Sequence, residues 1–210
     1  MTAIIRKRFC LLLPLLLYTS ALCLAQAAPQ SDQQLAEQAK RAYLAGDYAS
    51  AEQDFHQLAQ RQPSNIVAVM YWGHALFQQQ KYSQAVGPYE KARELEKTGK
   101  TLSDEQRRIL TDQLAMAYGI SGQLKQANAL LHEAIKQDPG YPLNYYNLAC
   151  AYAEEGNKRE VLTNLSLAFE HKDHVLKGEK IPDPRSDSSF QKYLQDPDFI
   201  QLMNKLEGPA

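Results

Sequence analysis

The chain has 210 residues, with 23 Lys and Arg against 24 Asp and Glu, a formal net charge of −1 and three cysteines. A balance this close to neutral argues against nucleic acid, whose binding needs a basic face. So few cysteines exclude a disulfide-stapled scaffold, leaving the hydrophobic core to hold the fold.

The N-terminus reads as an export signal. Arg6, Lys7 and Arg8 form a basic stretch, Phe9 to Ala25 is mostly apolar, and Ala25-Gln26-Ala27 is a small-x-small cleavage site. The apolar run of about 17 residues, interrupted by Pro14, sits at the lower limit for spanning a bilayer. Cleavage after Ala27, and no stable membrane insertion thereafter, is the expectation. Lipidation at Cys23 is disfavoured because Leu22 stands where a small residue is needed. Residues 1–27 hold three basic groups and no acid, so their removal leaves 20 Lys and Arg against 24 acids. Cys10 and Cys23 leave with them, and Cys150 remains alone.

Beyond this segment the sequence repeats. Ala51, Ala85, Ala127 and Val161 are separated by 34, 42 and 34 residues, the middle gap being one period plus eight. A fixed period of this length marks a stacked repeat protein. The units are 32–65, 66–99, 108–141 and 142–175, with an insertion at 100–107. Their eighth positions are Ala39, Gly73, Ala115 and Ala149, and their twentieth are the four residues just named. Such small residues let two helices approach closely. The twenty-fourth positions are large, Phe55, Tyr89, Leu131 and Leu165, and interdigitate across the pair. Gly46, Gly122 and Gly156 mark a tight turn inside units one, three and four, while Gln80 takes that place in unit two. Pro63 and Pro139 stop second helices. Pro88 falls near the start of the second helix of unit two, where a missing donor is tolerable. In the insertion, Ser103-Asp104-Glu105-Gln106 reads as a capping box that starts the first helix of unit three at about Asp104.

The pattern Trp72-Gly73, Tyr82-x-x-Ala85, Tyr89-x-x-Ala92, then Tyr118, Gly122, Ala127, Ala134 and Pro139 resembles the tetratricopeptide repeat family. The resemblance covers most of the chain after the signal. It implies an all-α, right-handed superhelical stack of about four helix-turn-helix units. After a linker, Asp187-x-x-Phe190 and Asp196-Pro197-x-Phe199 resemble a terminal module of two short helices within 176–210, closing the stack. Asp187 and Asp196 suit N-caps, with Pro197 at the first helical position. Phe190, Tyr193, Leu194, Phe199 and Leu202 are expected to pack on the second helix of unit four.

No catalytic constellation is legible, and no cofactor or metal site. His171 and His174 lack further ligands. Gly99-Lys100-Thr101 lacks the earlier glycine of a phosphate loop, since Glu94 stands there. Cys150 lies in a Tyr/Leu/Ala-rich helix with nothing nearby to activate it. The resemblance implies that first helices line a concave side. There it places Val67, Met70, His74, Phe77 and Gln78 of unit two, Ile109, Asp112, Met116, Gly119 and Ile120 of unit three, and Leu143, Tyr146, Cys150, Ala153 and Glu154 of unit four, with Lys40, Tyr43 and Leu44 at the rim. Within that set Met70, His74, Phe77, Asp112, Met116, Tyr146 and Cys150 are the candidate partner-binding residues. Met and aromatic residues suit an apolar peptide or protein segment. The expected function is a non-catalytic interaction scaffold in the periplasm or another exported compartment. The alternatives are an enzyme accessory or weak thiol chemistry at Cys150, and self-association through the ends of the stack.

Overall fold

A computed structural model describes residues 30–207. The expected signal segment 1–27, with its cleavage site, Cys10 and Cys23, lies outside the described residues. Among the described residues there are nine α-helices, two 3-10 helices and no strand. The helices are α1 (Asp32–Leu44), α2 (Tyr48–Arg61), α3 (Ile66–Gln78), α4 (Tyr82–Gly99), α5 (Asp104–Ile120), α6 (Leu124–Gln137), α7 (Pro142–Glu155), α8 (Lys158–Glu170) and α9 (Pro197–Glu207). The 3-10 helices are Lys172–His174 and Ser188–Tyr193. From α1 to α8 each helix packs on the next, giving four antiparallel pairs stacked in chain order.

Local chemistry sets the helix starts. Ser31 and Ser103 form capping boxes with Gln34 and Gln106. Asp47, Asn65 and Asn157 each accept from a backbone N–H one turn into the following helix. These side chains satisfy donors that have no partner within the helix. Between the helices of a pair, the turn needs a left-handed residue. Gly46, Gly122 and Gly156 supply it at φ of 78°, 74° and 77°, and Gln80 is forced into the same region at 61°.

The insertion does not lengthen the connection, which is 100–103; the added length goes into the helices on either side. α4 has 18 residues where α2 and α6 have 14, and α5 has 17 where α1 and α3 have 13. The eight extra residues therefore add about one turn to each of two neighbouring helices. Glu96, only 8% exposed, closes the connection between them. Its carboxylate accepts from the N–H groups of Thr101 (2.9 Å) and Leu102 (3.0 Å) and from the Arg107 guanidinium (3.0 Å). Burial alone would raise its pKa, but these donors outweigh burial and hold it below the usual carboxylate value.

The repeat positions form the core. Ala39, Ala51, Ala85, Ala115, Ala127, Ala149 and Val161 are buried, as are the large residues facing them, Phe55, Tyr89, Leu131 and Leu165. Gly73 shows why the eighth position is small. A Cβ there would lie 2.7 Å from the ring of Tyr89, which is fully buried. The C-terminal module closes the stack on two helices, not one. Ser188–Tyr193 packs on α7, where the Phe190 ring meets Tyr146 edge-on at 5.8 Å, and α9 packs on α8. The expectation named the second helix of unit four alone; Phe190 and Tyr193 share a cluster with its Val161, Leu165 and Ala168, and α7 is the added support. Asp187 accepts from Ser189 N–H, and Asp196 accepts from Asp198 and Phe199 N–H while pairing with Lys158.

Candidate partner-binding groove

Two first helices, the start of α6 with the turn before it (Gly122, Leu124 and Ala127) and the linker enclose the candidate site. α5 contributes Asp112, Ala115, Met116, Gly119 and Ile120, and α7 contributes Leu143, Tyr146, Asn147, Cys150, Ala151 and Glu154. Residues before and within the Ser188–Tyr193 helix, namely Lys180, Pro182, Asp187, Ser188 and Ser189, form an outer wall. The cavity measures about 700 Å³, within the size range of ligand and peptide side-chain sites. Met116 and Ile120, one helical turn apart, present 36% and 55% of their surface.

The linker is held against α7 by ties between side chains that sequence reasoning did not pair with one another. Tyr141 Oη donates to Glu179 (2.9 Å), whose same carboxylate oxygen accepts from Leu176 N–H (2.9 Å). Tyr146 Oη donates to Asp187 (2.9 Å), and the Cys150 thiol lies 3.9 Å from that oxygen. The sequence places Tyr146 on the groove side and gives Tyr141 no role. Their hydroxyls are what tie the linker down, and nothing in the period records a partner some 40 residues away.

Of the seven candidate residues the structure brings four together: Asp112, Met116, Tyr146 and Cys150 line this cavity. Met70 and His74 do not line it. They are 4% and 8% exposed and belong to the interior. The His74 ring packs edge-on between Tyr71 and Tyr89, and its Nδ1 lies 2.8 Å from Tyr89 Oη, which also reaches Gln113 of α5. The Tyr71 and Tyr89 rings cover the face of His74 that would otherwise line a groove over unit two. Phe77 is half-buried, its ring edge-on to Tyr82 at 4.9 Å. At the N-terminal end Tyr43 packs on Tyr48 and Tyr71, while Leu44 and Lys40 are exposed.

Electrostatics separate the site from the core. Burial holds the Asp112 carboxyl up at about 6, and the nearby charge of Glu179 pushes the same way, against hydrogen bonds from Asn147 (2.6 Å) and Gln113. Burial also pushes the Cys150 thiol far above its ordinary value, with the Asp187 carboxylate adding to the effect. A thiol held protonated is a poor nucleophile. Burial lowers His74 to about 4, leaving it neutral at ordinary pH. Among the described residues no cluster of three or more His, Cys, Asp or Glu could hold a metal ion, and no helix is long and apolar enough to cross a membrane.

No protein-family model matches the sequence, and no curated protein matches it. Solved structures do. MamA is similar with a TM-score of 0.64 and 17% identity over 84% of this chain and 91% of that one. MamA from residue 41 to its end, from Desulfovibrio magneticus RS-1, gives 0.62 and 16% over 84% and 94%. YrrB, described as a TPR protein with an unusual peptide-binding site, gives 0.59 and 14% over 84% of each chain. At these identities the likeness speaks for the fold. Together with the four stacked pairs and their buried repeat positions, it establishes that this chain has the tetratricopeptide-repeat fold.

Proposed function

We propose that the protein is a non-catalytic interaction scaffold that holds a segment of a protein partner in the groove between α5, α7 and the linker. The observation that carries this reading is the cavity itself. It is about 700 Å³, open, and floored by exposed Met116 and Ile120 beside Leu143 and Tyr146. Apolar side chains left open to water in a concave site mark a docking surface. A rigid stack of helix pairs gives such a surface a fixed shape. The peptide-binding site printed for YrrB is consistent with this use of the fold. The thiol alternative is opposed by the protonated state of Cys150.

We place the protein in an exported compartment on the strength of Arg6-Lys7-Arg8, the apolar run and Ala25-Gln26-Ala27. The test joins both parts. Tagged full-length chain is expressed, and the exported fraction is used for co-purification, with Met116→Asp plus Ile120→Asp as comparison. A partner is expected with the unaltered chain and lost with the double variant. Equal recovery of every partner overturns the groove, and retention of the uncleaved chain in the cytoplasm overturns the location.

A further inference from the structure

The groove has apolar walls but unbalanced charges. Asp112, Glu154 and Asp187 line it, against Lys180 as the cation among its lining residues. Among the described residues none of these three acids has an ion-pair partner. Asp112 is met by neutral donors, Asn147 and Gln113, and Asp187 by Tyr146 Oη, the Ser189 N–H and the Cys150 thiol. Glu179 adds a further negative charge within reach of Asp112.

Resting on the groove reading above, we propose that the guest is an apolar peptide segment carrying a lysine or arginine, whose cation seats on Asp112 while its apolar neighbours cover Met116, Ile120 and Leu143. Charge complementarity is the reason. A partly buried carboxylate met only by neutral donors lacks the opposite charge that would offset its desolvation. A guest cation supplies that charge and donates a charge-assisted hydrogen bond. An acidic guest instead meets three carboxylates, so recognition of an acidic tail or a terminal carboxylate is disfavoured. Lys180 is exposed on the outer wall and repels the same cation, which directs it inward toward α5.

The seat weakens in acid. Burial sets the Asp112 carboxyl at about 6, so it is charged at pH 7.5 and largely neutral at pH 5. The ionisable groups facing it or lining the same groove are Tyr141 just before α7, Tyr146, Cys150 and Glu154 of α7, and Glu179, Lys180 and Asp187 beyond it.

The tagged full-length chain is challenged at pH 7.5 and moderate salt with a display library of random dodecapeptides. Enriched sequences are expected to hold Lys or Arg among apolar residues. A synthetic enriched peptide with norleucine replacing the basic residue is expected to bind about tenfold more weakly, the worth of a hydrogen bond to a charged group. Against Asp112→Asn the same change is expected to cost no more than about twofold. Moving to pH 5 should weaken the basic peptide and leave the norleucine peptide unchanged. Enrichment of apolar sequences with no basic preference, or an equal loss on both proteins, overturns the cation seat and leaves the groove standing. Enrichment no greater than on the Met116→Asp plus Ile120→Asp chain overturns both. The norleucine comparison on the unaltered chain decides the matter even where Asp112→Asn fails to fold.

Discussion

Gln80 is the residue at which the chain departs from its own rule. Units one, three and four place glycine at the turn between paired helices, and unit two places a glutamine there at φ 61°. A side chain in the left-handed region costs roughly 1–2 kcal/mol relative to right-handed backbone. Glycine escapes that cost but gives back part of the gain as extra freedom in the unfolded chain. Gln80→Gly is therefore expected to stabilise the protein by about 0.5–1 kcal/mol, read as a higher urea midpoint at unchanged slope. An unchanged or lower midpoint means that the Gln80 side chain supplies a compensating contact. At this scale the sequence was highly legible. The small and large positions of the repeat are core residues because helix crossing admits only those sizes, as Gly73 against Tyr89 shows. His74 was misread as groove-lining for a physical reason. Its position in the period gives its direction from the α3 axis, but not that the Tyr71 and Tyr89 rings close around it, and those rings make it interior.

Among the elements, the lengthened α4–α5 hairpin carries the most information. Ser103 and Gln106 spelled the start of α5, because a capping box is a local signal. The extra turn of α4 left no such mark, since its end depends on Glu96 reaching across the connection to Thr101, Leu102 and Arg107. Removing that carboxylate leaves the Thr101 and Leu102 amides without an acceptor and takes one of the partners of the Arg107 guanidinium, which keeps Leu102 O and Asp104. Glu96→Ala is expected to destabilise the protein by about 2–3 kcal/mol, as for a lost set of charged hydrogen bonds. Glu94→Ala is the matched control on the same helix. Glu94 is exposed and pairs with Lys97 at 3.3 Å, and its loss should change stability by no more than about 0.5 kcal/mol. Equal effects from the two would mean that Glu96 does not hold the hairpin. The linker wall of the groove was likewise illegible, because hydroxyl-to-carboxylate ties between Tyr141 and Glu179, and between Tyr146 and Asp187, span distances that no local pattern encodes.

At the scale of the whole molecule, two titrating groups, His74 buried and Asp112 partly buried, pull stability in opposite directions with pH. His74 stays neutral in the fold down to about pH 4, while in the unfolded chain it gains a proton below about 6.5. Its share of stability is complete above pH 6.5 and lost as pH falls toward 4. Asp112 behaves in reverse. In the fold it keeps its proton up to about pH 6, while unfolded it loses it above about 3.9. Its share is complete below pH 4 and lost as pH rises toward 6. Each shift amounts to on the order of 3 kcal/mol, less for Asp112 because it is only partly buried. Other carboxylates titrate over the same range, so the clean readout is the difference between each variant and the unaltered chain in urea unfolding at pH 4, 5, 6 and 7. Relative to His74→Gln, the unaltered chain should gain stability from pH 4 to 6.5. Relative to Asp112→Asn it should lose stability from pH 4 to 6, so that at pH 7 the asparagine variant is the more stable. Differences that do not vary with pH would mean that neither group is held as the structure places it. The two shifts also differ in meaning. His74 lies in packed interior, where a neutral ring bonded to Tyr89 serves the fold. Asp112 lowers stability at neutral pH inside a groove where a guest cation could offset it, the kind of locally unfavourable group that binding sites carry.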